Sequence, residues 1–288
     1  MAMSSVPKIR ARAIGEADIP GVADLLAKGF PDRPRRFWEQ VFARLAAHSA
    51  PVGLPRYGYL LDSGGAVVGA ILLIFSKLKA GAGSEIRCNV SSWFVEPAFR
   101  AYASLFVSKA LSHRNVTYLN ITPAPHTLPI VQAQGYSQYS RGTFVALPAL
   151  QRGPAAEVVA VPHRPNATYE AFEHDLLLQH AEYGCLSLWC THGGRAHPFV
   201  FRPRMLKGVI RGAQLVYCRD VGDFVVFAGP IGRFLALRGQ PFVLVDSNGP
   251  IPGLAGRYLD ARMPKYFKGP NRPRLGDLAF TEAAMFGV

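Results

Sequence analysis

Hydrophobic and polar positions change period several times along this chain, and each change marks an element. Residues 9–14, Ile-Arg-Ala-Arg-Ala-Ile, alternate as a strand does. After Gly15-Glu16-Ala17-Asp18 the apolar positions Ile19, Val22, Leu25 and Leu26 recur at helical spacing and stop at Gly29. Phe37, Trp38, Val41, Phe42 and Leu45 repeat that spacing beyond a basic loop, which predicts a second helix. Residues 57–75 alternate around Asp62-Ser63-Gly64-Gly65, the turn chemistry of a hairpin. Residues 84–136 then read as strand, turn, helix, strand and short helix, closing on Gly135-Tyr136.

The proline-rich stretch 148–165 predicts a connector with one strand at 158–161. Beyond it the same order returns: a helix over 169–183, a hairpin over 185–202 around Gly193-Gly194, a strand over 213–219, helix over most of 221–238, a strand over 241–246, and a terminal strand over 277–286. Strand, helix and strand thus follow one another at 88–121 and again at 213–246. The pattern predicts a mixed-sheet α/β (α+β) protein of two domains, 1–150 and 151–288, related by an internal duplication and burying a shared face as a built-in pseudo-dimer.

With 288 residues, 49% of them hydrophobic and 18% charged, the chain is long and apolar enough for two ordinary cores. No apolar run reaches membrane-spanning length and residues 1–15 lack a secretory centre, so a cytoplasmic location is expected. Cys88, Cys185, Cys190 and Cys218 lie in apolar surroundings without a paired spacing, as reduced buried thiols do. The net charge of +13 draws the chain toward anions, whether nucleic acid, membrane, an acidic carrier protein or a nucleotide cofactor, and does not choose among them.

The choice comes from residues 84–136. Val95 and Pro97 follow the strand, Arg100-Ala101-Tyr102-Ala103-Ser104-Leu105 starts the helix, and Gly135-Tyr136 opens the last strands. In these residues the chain resembles the GNAT acyltransferases, whose turn at this place reads Gln/Arg-x-x-Gly-x-Gly/Ala. The resemblance implies acetyl-CoA or another acyl-CoA as cosubstrate and no metal. Trp93, Phe94 and Val95 would line the pantetheine arm, and Arg100, Ala101, Tyr102, Ala103 and Ser104 the diphosphate, since helix N-termini and small residues present free amides to phosphate. Leu105 departs from the pattern, as does Val131, which stands where many relatives carry a tyrosine acid. The remaining catalytic candidates are His126, Tyr136, Asn120 and Ser92, with Thr122 beside them and Tyr102 at the turn. In the second half the turn reads Arg219-Asp220-Val221-Gly222-Asp223, whose carboxylates repel a diphosphate, so that half is expected to brace the first or shape the acceptor pocket.

Other groupings weigh less. Cys185, Cys190, His192 and His197 have a zinc-like spread that fits no standard spacing. Arg33, Arg35 and Arg36 with Phe37 and Trp38 read as a solvated helix entrance, Glu96 as a helix cap, and 265–274 as a basic loop that reaches over a cleft or is simply exposed. The function that follows is transfer of an acyl group from coenzyme A to an amine or hydroxyl of a small molecule held between the halves. The acyl donor is alternatively an acylated carrier, including an acidic acyl carrier protein. Nucleic acid is not the expected partner, and the assembly is a monomer with an internal pseudo-dimer or a homodimer. The alternative is a catalytically inert GNAT-fold binding or scaffold protein.

Overall fold

The computed structural model describes residues 9–80, 83–206 and 208–287. Residues 1–8, part of the segment on which the absence of a leader was read, lie outside them. Two compact units result: Met1–Asn120 with Lys268–Asn271, and Ile121–Phe267 with Arg272–Val288. The units therefore change over between Asn120 and Ile121, upstream of the connector at 148–165.

The first unit carries strands β1 (Ile9–Ala13), β2 (Gly58–Ser63), β3 (Ala66–Ala80), β4 (Gly83–Val95) and β5 (Val116–Asn120), arranged side by side in that order. Pairing is antiparallel from β1 to β4 and parallel between β4 and β5. From Val68 to Ser76 β3 is buried without interruption, the signature of a central strand covered on both faces. Helices α1 (Ile19–Gly29) and α2 (Arg35–Ala47) turn Val22, Leu25, Leu26, Trp38, Val41, Phe42 and Leu45 inward, the residues whose spacing predicted them. Helix α3 (Ala103–Ala110) buries Phe106, Val107 and Ala110.

The second unit begins with α4 (Leu128–Ala133) and β6 (Ser137–Ala146), followed by β7 (Glu157–Ala160), α5 (Ala171–Glu182), β8 (Leu186–His192), β9 (Arg195–Leu206), β10 (Ile210–Cys218), α6 (Val221–Val226), α7 (Ala228–Ala236), β11 (Val243–Ser247), β12 (Gly256–Lys268) and α8 (Glu282–Met285). Its sheet runs β7-β8-β9-β10-β11-β6-β12, with β10 and β11 parallel and β6 antiparallel to both its neighbours. From β7 to β11 this repeats the strand order and directions of β1 to β5. Its core joins Phe144, Leu188, Phe199, Phe201, Leu215, Phe224, Ile231 and Val243 from both sheet and helices.

Three expectations are corrected. Residues 256–268 form β12, a strand that the pattern did not predict and that takes in 265–268 of the expected basic loop 265–274, and Lys265 is buried at 1% exposure with its Nζ 2.6 Å from Asp246 Oδ1. Its alternation is hidden by a slip in pairing between Asp260↔Gly142 and Lys265↔Ser140, where Ala261 and Met263 take left-handed backbone. Residues 277–286 form no terminal strand: Asp277 makes one bridge, Phe280 turns left-handed, and the helix-favouring Glu-Ala-Ala-Met winds into α8 after Thr281. Glu96 does not cap a helix with its side chain but pairs with Lys28 at 2.6 Å. Among the described residues no helix is long and apolar enough to cross a membrane.

Candidate functional site

The site is built on a fork between two strands. β4 and β5 pair in parallel through Ile86↔Val116 to Asn89↔Leu119, and there the pairing stops. β4 continues to Val95, still held on its other edge by β3 as far as Gly69↔Val95. Between Leu72↔Ser91 and Ala70↔Phe94, Ser92 and Trp93 together oppose the single residue Ile71. This bulge bends β4, and Ser92 sits at its left-handed corner with φ 48°. At the crotch of the fork the buried Asn89 side chain donates to the carbonyls of Leu119 at 3.3 Å and Val90 at 3.2 Å.

Beyond the crotch, β4 runs on from Val90 to Val95 past the end of its ladder with β5. The Glu96 amide donates back to Val68 on β3 at 2.9 Å. Ladder alternation therefore turns the Val95 amide the other way, into the opening. An open strand edge with outward amides accepts an extended, amide-bearing chain as an added strand. The same amides are donors for an oxyanion that forms beside them.

The turn after β4 differs from the expected opening of a helix at Arg100. Helical winding begins at Pro97, as a 3-10 turn over Pro97–Tyr102 that runs directly into α3. Phe99 donates to Glu96 O at 2.9 Å and the Ala103 amide to Arg100 O, so these two N–H groups are engaged. Proline at the first position and the absence of glycine favour this tight winding over an open loop. Arg100, Ala101, Tyr102, Ser104 and Leu105 are exposed, Ala103 is partly so, and Arg100 makes no ion pair among the described residues. The turn thus offers a phosphate one free guanidinium and a surface with fewer free amides than a glycine-rich loop would give.

The other predicted residues are divided between the units. In the first, Trp93 is partly buried with its indole Nε1 unpartnered, and Phe94 packs against Phe30 with ring centroids 6.5 Å apart. Gly29 makes room for that ring, since a β-carbon there would stand 2.3 Å from it. Ser92 Oγ lies 3.0 Å from Ser91 Oγ, and Asn120 ends β5 partly buried. His126 and Tyr136 belong to the second unit: His126 is exposed on the 3-10 turn Pro125–Thr127, whereas Tyr136 is buried, as is Val131 on α4. Thr122, in the same unit, donates to the buried Glu282 at 2.5 Å.

Asn89 escaped the reading of the sequence, although a carboxamide between Cys88 and Val90 in an apolar strand is the kind of buried polar group that must have a partner. The four cysteines are buried and form no disulfide, and burial raises the Cys190 and Cys218 thiols to about 12. In the zinc-like set Cys190 and His197 face each other across β8 and β9, but His192 bonds to Ala155 O at 2.9 Å and His197 lies 3.2 Å from Asp223. Arg35 is paired with Asp24 and Glu39, and Arg33 lies over Phe37.

Solved structures share this fold. A GCN5-related N-acetyltransferase from Anabaena variabilis matches over 91% of this chain and 72% of its own, with TM-score 0.57 at 12% identity. The chain has the GCN5-related N-acetyltransferase fold. A second such protein, from Kribbella flavida, covers 92% of this chain and 72% of its own with TM-score 0.54 at 14% identity. A provisionally assigned acetyltransferase from Pyrococcus horikoshii covers 94% and 93%, with TM-score 0.56 at 14% identity. No family model matches the sequence, and no curated protein matches it. At these identities the likeness is one of GNAT fold.

Proposed function

We propose that the protein is an acyltransferase that takes an acetyl or longer acyl group from coenzyme A and passes it to an amine or hydroxyl. One observation carries the reading: on the GNAT fold the ladder of β4 with β5 ends at Asn89, β4 runs on past a bulge, and the Val95 amide faces away from β3. The pantetheine arm would lie along that edge, and Trp93, Phe94 and Val95 would flank it. Arg100 would meet the diphosphate, helped by the exposed turn from Ala101 to Ser104. The acceptor's nitrogen or oxygen attacks the thioester carbonyl, the carbon–sulfur bond breaks, and coenzyme A leaves as thiol once the acceptor's proton has been taken up. Amides held along the edge contribute by placing the thioester and stabilising its oxyanion. Ser92 and Asn120, on either side of the fork, are the candidates within the first unit for the proton transfers. The repeated strand order from β1 to β5 and β7 to β11 supports descent of the chain from a duplicated GNAT unit.

Calorimetry with acetyl-CoA and longer acyl-CoAs on the wild type and Arg100→Glu tests the site. Binding by the wild type that weakens in the charge-reversed variant supports it, and no binding at any chain length removes it.

A second reading, an inert GNAT-fold binding module, is favoured by exposed Leu105, buried Val131 and the engaged amides of the turn. Release of thiol from acyl-CoA across a panel of amines and alcohols separates the two, because an inert module stays at background.

A further inference from the structure

The second unit repeats the fork and then closes it. β10 pairs with β11 only at Ala213↔Val243 and Gln214↔Leu244, and its ladder with β9 carries a bulge at Val216, between Leu215↔Phe201 and Tyr217↔Val200. Like β4, it runs on past its parallel partner, to Cys218, with one edge released. Here that edge is taken by the chain itself. The Cys218 amide donates to Gly276 O at 3.0 Å and the Leu278 amide to Val216 O at 2.7 Å, around an antiparallel bridge between Tyr217 and Asp277.

Several contacts hold the segment in place. Arg274 donates to Cys218 O at 2.5 Å, lies 5.1 Å over the Tyr217 ring and pairs with Asp277 at 3.3 Å. Leu278 is buried. Gly276 has φ +74°, and a β-carbon on it would stand 2.7 Å from Cys218 Sγ, so glycine lets the backbone come this close. At the helix start that follows, where a diphosphate would lie, Asp220 accepts from Gly222 N–H at 2.6 Å, and its charge opposes a second anion there.

We propose that Gly276–Leu278 is a built-in ligand of the second unit's fork. It fills with its own peptide groups the edge that a pantetheine arm would take on β4, so the chain binds one acyl thioester and not two. The inference rests on the acyl-CoA reading of the first fork. Val95 ends β4 and Cys218 ends β10; the first presents its amide to the opening, and the second already spends its amide on a carbonyl. Pantetheine, a chain of two amides, and a peptide segment offer a strand edge the same alternation of acceptor and donor.

Hydrogen exchange on the full chain, with and without acetyl-CoA, tests this alongside calorimetric stoichiometry. The Cys218 and Leu278 amides are expected to be protected in the free protein and unchanged at saturation, while protection rises over Val90–Val95 and one equivalent binds. In Arg274→Ala the Cys218 and Leu278 amides should exchange roughly tenfold faster, while those of β9 stay as in the wild type. Unprotected Cys218 and Leu278 amides in the free protein, no acceleration in Arg274→Ala, protection gained over Val216–Cys218 on adding acetyl-CoA, or two bound equivalents would each overturn the proposal. Failure of acetyl-CoA to bind at all removes the reading of the first fork instead, so the two failures are told apart.

Discussion

The side-chain amide of Asn89 donates to the Leu119 carbonyl at 3.3 Å, on the last rung before β4 and β5 part. The residue is buried at 1% exposure, where a lost hydrogen bond is costly. Asn89→Ala is expected to lose about 1–3 kcal/mol by leaving buried carbonyls short of a donor. Urea denaturation measures this, and a loss below about 0.5 kcal/mol would show that the carboxamide does not pin the fork.

Ser92 holds the bulge with φ 48°, a conformation that disfavours any residue with a β-carbon. Ser92→Gly should leave stability unchanged or raise it by up to about 1 kcal/mol, and Ser92→Val should lower it by more than about 1 kcal/mol. If the bulge serves by its backbone, Ser92→Gly also retains thiol release from acyl-CoA. Loss of turnover in a stably folded Ser92→Gly would assign the role to the hydroxyl.

Lys265 and Asp246 form an ion pair buried on both sides, at 1% and 5% side-chain exposure. Lys265→Met strands the carboxylate and is expected to cost about 3–5 kcal/mol, whereas Lys265→Met with Asp246→Leu recovers most of it. The comparison of the three denaturation midpoints decides. A double variant no better than the single one would mean that the charges also fix the slipped register of β12.

His48 is buried, with Nε2 2.9 Å from Phe75 O and 3.2 Å from Ser76 Oγ. Burial lowers its pKa, with the bond to Phe75 O acting the other way. Because the unfolded chain then binds more protons, the stability tied to neutral His48 is present above the unfolded value near 6.5 and is lost as pH falls below it. His113, its pKa lowered first by burial and then by Lys109, acts in the same direction. Denaturation midpoints should fall from pH 7 to pH 5, and less steeply in His48→Gln. Equal slopes would exclude His48 as a source.

Where local pattern and tertiary environment agree, the reading of the sequence and the structure coincide. Ile19 to Leu26 and Phe37 to Leu45 carry an apolar stripe and are helices, and Asp62–Gly65 and Gly193-Gly194 turn hairpins. β12 was not legible because two left-handed residues and Pro264 break its alternation and because buried Lys265 looks like surface until Asp246 is placed beside it. The end of the chain misled for the opposite reason: apolar residues at 278–286 suggest a strand, but the turn at Phe280 and the helix propensity of Glu-Ala-Ala-Met prevail.

The order of helices and strands from β1 to β5, the strand–helix–strand core around residues 88–121 and the absence of glycine from the turn at Arg100 were set by the sequence alone, because side-chain period and backbone propensity act over a few neighbours. Tertiary structure alone decided that β4 leaves β5 at Asn89 and that Ser92 bends it. It also decided that the equivalent edge on β10 belongs to Gly276–Leu278, some sixty residues downstream. Backbone donors and acceptors are identical at every such position, so which segment satisfies them depends on the chain that packing brings alongside.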